Sequence, residues 1–137
     1  MTLTFWATSV LAEGEPVKIF QLDFDLSPES AKKVAETRFN CKWDWDTCKK
    51  SGTNLVSFSS EAGKLSTIRI ECVAFEGCSY STTEVVSSLS EQKSLVFEKG
   101  YDRWCASGIL GEKICVDQYR DIEMYRAKFR VPSLSFD

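Results

Sequence analysis

The 137-residue chain contains no histidine, an absence that removes the usual general base and every serine or cysteine triad that relies on imidazole. It has no Cys-x-x-Cys pair and no glycine-rich phosphate loop, so common zinc-site and nucleotide-binding patterns do not occur. No apolar run approaches the about 20 residues needed to span a bilayer. Neither sign of charge dominates: 17 basic residues face 20 acidic ones, for a net charge of −3. Global attraction to nucleic acid or to an anionic membrane therefore has no support. No nucleic-acid partner, transmembrane segment, metal or cofactor is expected. What remains is a chain with 43% hydrophobic residues, long enough for one core and short for two domains of ordinary size.

Six cysteines fall in three close pairs: Cys41 and Cys48, Cys72 and Cys78, Cys105 and Cys115. An even number in a small chain reads as a disulfide framework in an oxidising compartment, and as metal or redox chemistry in the cytosol. The wide spacing within each pair and the missing histidine favour disulfides over zinc. Nearest-neighbour pairing is one of 15 connectivities that six cysteines allow. Residues 2 to 12, TLTFWATSVLA, are uncharged and end in Val10, Leu11 and Ala12, with small residues where an export signal is cleaved. The positively charged region that normally precedes such a run is missing. Residues 1–12 thus read as a truncated export signal or an N-terminal arm, and 13–137 as a single α+β domain in the periplasm or outside the cell.

From Val17 to Leu26, Phe20, Leu22, Phe24 and Leu26 alternate with Gln21, Asp23 and Asp25, the period of a half-buried strand. Ser27 caps a helix over 28–39, with Pro28 at its first position and Ala31, Val34, Ala35 and Phe39 along its apolar stripe. Asn54 to Ser59 and Leu65 to Phe75 read as two strands joined by a turn at Glu61 to Lys64. In the second, Ile68, Ile70, Cys72 and Ala74 share one face, opposite Arg69, Glu71 and Val73. Ser81 and Glu84 form a capping box for a second helix, running to about Glu91 with Val85, Val86 and Leu89 inward. Ser94 to Glu98 reads as a short strand.

This order matches a ferredoxin-like strand and helix sequence, followed by a C-terminal hairpin and strand. The expected fold is a disulfide-stapled α+β domain: one mainly antiparallel sheet with two helices on one face. In the hairpin, Arg103 to Gly108 pairs with Glu112 to Asp117. A three-residue loop with Gly111 in the left-handed region sets Cys105 opposite Cys115. The last strand, Met124 to Val131, alternates Tyr125, Ala127, Phe129 and Val131 with Met124, Arg126, Lys128 and Arg130. The two helix caps lie 54 residues apart, Ser27 to Ser81, an echo too faint alone to claim duplication.

The segment CKWDWDTC holds Trp43, Asp44, Trp45 and Asp46 between Cys41 and Cys48, and is the first candidate binding surface. Large amphipathic rings are common interface anchors, and a closed loop loses little entropy on binding. The bland alternative folds one or both indoles back as a lid on the core. In plan the segment resembles the short disulfide-closed loop that periplasmic bacterial lysozyme inhibitors insert into the enzyme's cleft. The resemblance covers eight of 137 residues and lacks the histidine such loops can carry. It implies an inhibitor-type contact. Arg126, Lys128 and Arg130 form a second candidate, a basic stripe, for which charge guarding an edge strand is the favoured reading. The Asp-x-Asp pairs lack the further ligands of a calcium loop.

The reading these residues favour is a small exported, non-enzymatic binding or inhibitor-type domain that contacts another protein or an envelope component through the Trp/Asp loop. Two rivals stand beside it. One is a carboxylate-dependent polysaccharide hydrolase, which needs an acid pair roughly 5–9.5 Å apart. The other is a structural component of a virion or envelope assembly that retains residues 1–12 as an arm.

Overall fold

The computed structural model describes residues 15–76, 78 and 80–127. The expected export segment 1–12, and Lys128 and Arg130 of the basic stripe, lie outside them. The first helix, α1, spans Pro28–Phe39; four strands follow, β1 (Lys42–Asp44), β2 (Thr47–Lys50), β3 (Thr53–Glu61) and β4 (Lys64–Ile70). A 3₁₀ turn at Cys72–Ala74 leads to α2 (Thr82–Lys93), and then to β5 (Glu98–Lys99), β6 (Arg103–Ser107), β7 (Lys113–Asp117) and β8 (Ile122–Tyr125). All eight strands join one antiparallel sheet in the order β1-β2-β3-β4-β8-β7-β6-β5. The fold is α+β with a single sheet. The buried residues of both helices join one core cluster with the same set of strand side chains, Val56, Phe58, Ile68, Ile70, Ile114, Val116, Ile122 and Met124.

The helices start where their caps dictate. The Ser27 side chain accepts from the Ser30 N–H at 3.1 Å, and Ser81 with Glu84 forms the reciprocal capping box. Ala31, Ala35 and Phe39 of α1 and Val85, Val86 and Leu89 of α2 are buried, as their spacing requires. Each helix ends on a left-handed residue, Asn40 or Ser94, so Ser94 closes a helix rather than opening a strand.

Two further expectations are corrected. The segment from Val17 to Leu26 is not a strand. Phe20 and Gln21 both have positive φ, in a tight turn closed by reciprocal Ile19 and Leu22 backbone hydrogen bonds. Alternation there arises because Ile19, Leu22 and Phe24 are buried around a turn, and Asp23, also buried, accepts from the Asp25 N–H at 2.9 Å. The strand expected over Leu65 to Phe75 ends at Ile70, and the 3₁₀ turn then carries Cys72 toward Cys78. With the first strand gone, the strand and helix order departs from the ferredoxin-like one.

The order is a repeat instead. Each half is a helix followed by a four-stranded antiparallel meander, and the halves meet through their last strands, β4 against β8. An offset of 54 residues relates Ser27 to Ser81, Ala31 to Val85, Ala35 to Leu89 and Asn40 to Ser94. The same separation relates Arg69 to Glu123, which pair directly across the β4–β8 ladder. The pseudo-two-fold axis therefore passes through this pair. Ladder positions match as well: the row Cys48, Val56, Ile70 across β2, β3 and β4 corresponds to Ala106, Ile114, Met124 across β6, β7 and β8, both inward. The sequence echo at the caps is the trace of this duplicated architecture.

Candidate functional site

Three disulfides close adjacent cysteines: Cys41–Cys48, Cys72–Cys78 and Cys105–Cys115, with Cα separations of 5.5, 5.0 and 4.1 Å. Nearest-neighbour pairing is therefore correct, and all six cysteines are bridged. Cys105 and Cys115 face each other across β6 and β7, and Gly111 has φ of 89°. Among the described residues, no helix is long and apolar enough to cross a membrane.

The segment between Cys41 and Cys48 is a tight hairpin rather than a loop, because β1 and β2 pair as Trp43↔Cys48 and Asp44↔Thr47. Pairing splits the two tryptophans. Trp43 lies on the inward face, its ring 4.9 Å from that of Phe58, and its indole N–H donates to the Lys32 carbonyl at 3.0 Å. Trp45 sits at the tip with positive φ and is 88% exposed. A left-handed conformation costs a non-glycine residue about 1–2 kcal/mol, and the closed hairpin holds it. Lys32 steadies the tip from α1, its Nζ donating to the Trp45 carbonyl at 3.4 Å. Asp44 and Asp46 flank the indole and are exposed; Asp44 pairs with Lys49 at 3.3 Å, and Asp46 accepts from the Thr47 hydroxyl at 3.0 Å. A hollow of about 310 Å³ opens beside it, lined by Trp45, Asp46, Lys32, Pro28, Phe58 and Ser59 among others.

Arg126 does not stand in an exposed stripe. Its guanidinium donates to the backbone carbonyls of Leu65 and Phe24 and lies over the Phe24 ring at 5.3 Å. Met124, assigned to the same face, is fully buried. The arginine thus ties the end of β8 to the turn before α1.

Two features escaped sequence reasoning. The first is Tyr101, fully exposed in the turn between β5 and β6, the counterpart of the Trp45 turn in the repeat. Each aromatic is followed by aspartate, Asp46 or Asp102. The 54-residue cap echo sets Trp45 against Lys99 and so could not have aligned them; only the strand count, β1–β2 against β5–β6, does. The second is the sheet face turned away from the helices. There Arg69 is the hub of four carboxylates: Glu71 and Asp121 at 2.8 Å, Asp117 at 3.7 Å, and Glu123. Arg103 also reaches Glu123 at 3.1 Å, and the Tyr125 hydroxyl donates to Glu123 at 2.8 Å. Burial opposes charge on Arg69, but hydrogen bonds to Glu71 and Glu123 outweigh it and raise its pKa. Burial also pushes Asp121 upward, against the Cys72 N–H that donates to it. The alternation of Arg69 and Glu71 with Ile68 and Ile70 located this face; what it could not supply was the partner strand, 54 residues away.

Tyr125 carries a pH prediction. Burial, and then its hydrogen bond to Glu123, raise its pKa above the ordinary tyrosine value of about 10. The folded state then keeps a proton that the unfolded chain releases, so stability is full below pH ~10 and falls as pH rises through the folded value. Denaturation midpoints at pH 9 and 11 should diverge, and Tyr125→Phe should shrink that difference; an undiminished difference assigns the alkaline loss elsewhere.

Fold and site together define a duplicated, disulfide-stapled α+β sheet protein with an aromatic hairpin tip. Comparison with protein-family models, curated proteins and solved structures finds no match.

Proposed function

We propose that this chain is an exported, non-enzymatic binding or inhibitor-type protein whose first contact with its partner is the Trp45 hairpin tip. The observation that carries the reading is an indole 88% exposed on a covalently closed turn. Tryptophan is usually largely buried, and a site that holds it in solvent at a cost in backbone conformation gains from that exposure only when something covers the ring. The hairpin is held by its ladder, by Cys41–Cys48 and by Lys32, so little freedom is lost on docking. Asp44 and Asp46 add acceptors for a donor-rich partner surface, which favours another protein or an envelope component displaying cationic or amide groups. Three disulfides support an oxidising compartment, the periplasm or the cell exterior.

The hydrolase reading draws less support. The carboxylates that the fold gathers around Arg69 are held by arginine and backbone donors rather than left facing one another.

The two tryptophans separate contact from packing. Trp45→Ala should leave the far-UV spectrum and denaturation midpoint nearly unchanged and abolish capture of a partner from envelope or extracellular extracts. Trp43→Ala should instead destabilise the fold by about 2–4 kcal/mol, since it empties a site against Phe58. Capture that survives Trp45→Ala would end this reading.

A further inference from the structure

A groove of about 610 Å³ opens below the C-terminal end of α1, at the opposite end of β2 from the Trp45 tip. Its floor is aromatic and aliphatic: Phe20, Phe39, Phe75, Leu55 and Ala74, with Val73 59% exposed at the edge. Phe20 packs edge-on against Phe39 at 5.6 Å and lies tilted against Phe75 at 5.7 Å. It reaches both because the preceding turn holds it at φ of 53°, a conformation unusual for a bulky residue. The rim carries Arg38 and Lys50, neither of which has an ion-pair partner among the described residues. The Arg38 guanidinium lies over Phe20 and Phe39 at 5.0 and 5.6 Å, which fixes it at the groove while leaving its charge unmatched. Glu76 is the lone carboxylate in the lining.

From this geometry we infer that the groove binds a small hydrophobic carboxylate, with its apolar body on Phe20, Phe39 and Phe75 and its carboxylate between Arg38 and Lys50. An apolar cleft of 300–1,000 Å³ with a few convergent polar groups is the ordinary form of a small-molecule site. With two cations, neither ion-paired among the described residues, against the single carboxylate of Glu76, the lining is net positive and favours an anion, since a neutral or cationic amphiphile leaves Arg38 and Lys50 unpaired. The groove is particular to the first half of the repeat: Lys93 stands in α2 where α1 has Phe39, at the 54-residue offset that relates the helices.

The test uses the intact, oxidised protein and decanoate as probe, with decanol and decyltrimethylammonium as matched neutral and cationic chains. Decanoate should shift the amide resonances of Phe20, Val73 and Ala74 saturably, with the other two chains at least tenfold weaker. The exposed-site variant Arg38→Gln/Lys50→Gln should lose decanoate affinity by at least tenfold with its circular dichroism unchanged. Val73→Asp, which adds a repelling charge at the edge, should weaken binding independently. Trp45→Ala should not change it, so this site and the hairpin contact stand or fall separately. Equal binding of all three chains, shifts confined to other residues, or undiminished binding by both groove variants would overturn the assignment.

Discussion

Reduction of the three disulfides should unfold this protein at room temperature without denaturant. Each bridge closes a small loop, with sequence separations of 7, 6 and 10 residues. Loops of that size each contribute about 2.5 kcal/mol by the chain-entropy estimate. The three loops neither nest nor overlap, so their effects on the unfolded chain add to about 7.5 kcal/mol. That is comparable with the whole stability of an ordinary domain, about 5–15 kcal/mol. The bridges also differ in access. Cys41 and Cys48 are both buried, and Cys105–Cys115, though partly exposed at Cys105, is set in the β6–β7 ladder, whereas Cys72–Cys78 lies outside the strands with Cys78 partly exposed. Mass spectrometry of thiols trapped during mild reduction should find Cys72 and Cys78 alkylated first, with native circular dichroism retained at that stage. Loss of structure should accompany opening of Cys41–Cys48 and Cys105–Cys115. A fully reduced, alkylated protein that keeps a cooperative thermal transition near that of the oxidised form would show that the core and the β4–β8 junction suffice.

Local chemistry was legible in the sequence and long-range pairing was not. Ser27, Pro28, Ser81 and Glu84 announce both helices because capping is settled within four residues. The Cys105–Cys115 bridge was legible for the same reason: a short loop with Gly111 fixes the register of its own hairpin. The false strand over Val17 to Leu26 has a physical cause. A turn with consecutive left-handed residues buries side chains on both sides of it, and its linear pattern imitates alternation. The same limitation hid the division between Trp43 and Trp45. Both are tryptophan beside aspartate in the chain, and only the pairing of Trp43 with Cys48 sends one inward and leaves the other at the tip. The meeting of β4 with β8 links residues more than fifty apart, and no periodicity within either strand specifies it. The 54-residue cap echo held the missing information, but as a relation between halves.

Arg69→Ala should be the most damaging single substitution outside the apolar core, costing about 2–4 kcal/mol. Its side chain is 30% exposed, and its removal leaves Glu71, Asp117, Asp121 and Glu123 crowded without the charge that joins them. Stranding buried or half-buried charges is what makes the loss of one partner expensive. Asp121 gives the deficit its pH signature. Burial already raises its pKa, and losing the nearby guanidinium raises it further, so the variant should be worst at neutral pH and recover relative to wild type on acidification. A deficit that is constant with pH would instead point to lost packing of the arginine stem. Lysine at this position should restore only part of the stability, because a single ammonium cannot reach four carboxylates in the plane that the guanidinium fork spans. The location of the damage is a second readout. Arg69 and Glu71 belong to the first half of the repeat, while Asp117, Asp121 and Glu123 belong to the second, so the hub joins the halves at their pseudo-two-fold axis. A symmetric sheet would set like charge against like at that axis, and an arginine facing a glutamate is what the two unlike halves permit. Hydrogen exchange in Arg69→Ala should therefore accelerate first in β4 and β8, with the β1–β2 hairpin protected as in wild type. Acceleration spread evenly over all eight strands would mean that the sheet opens as one unit, and that the junction is no weaker than the meanders it connects.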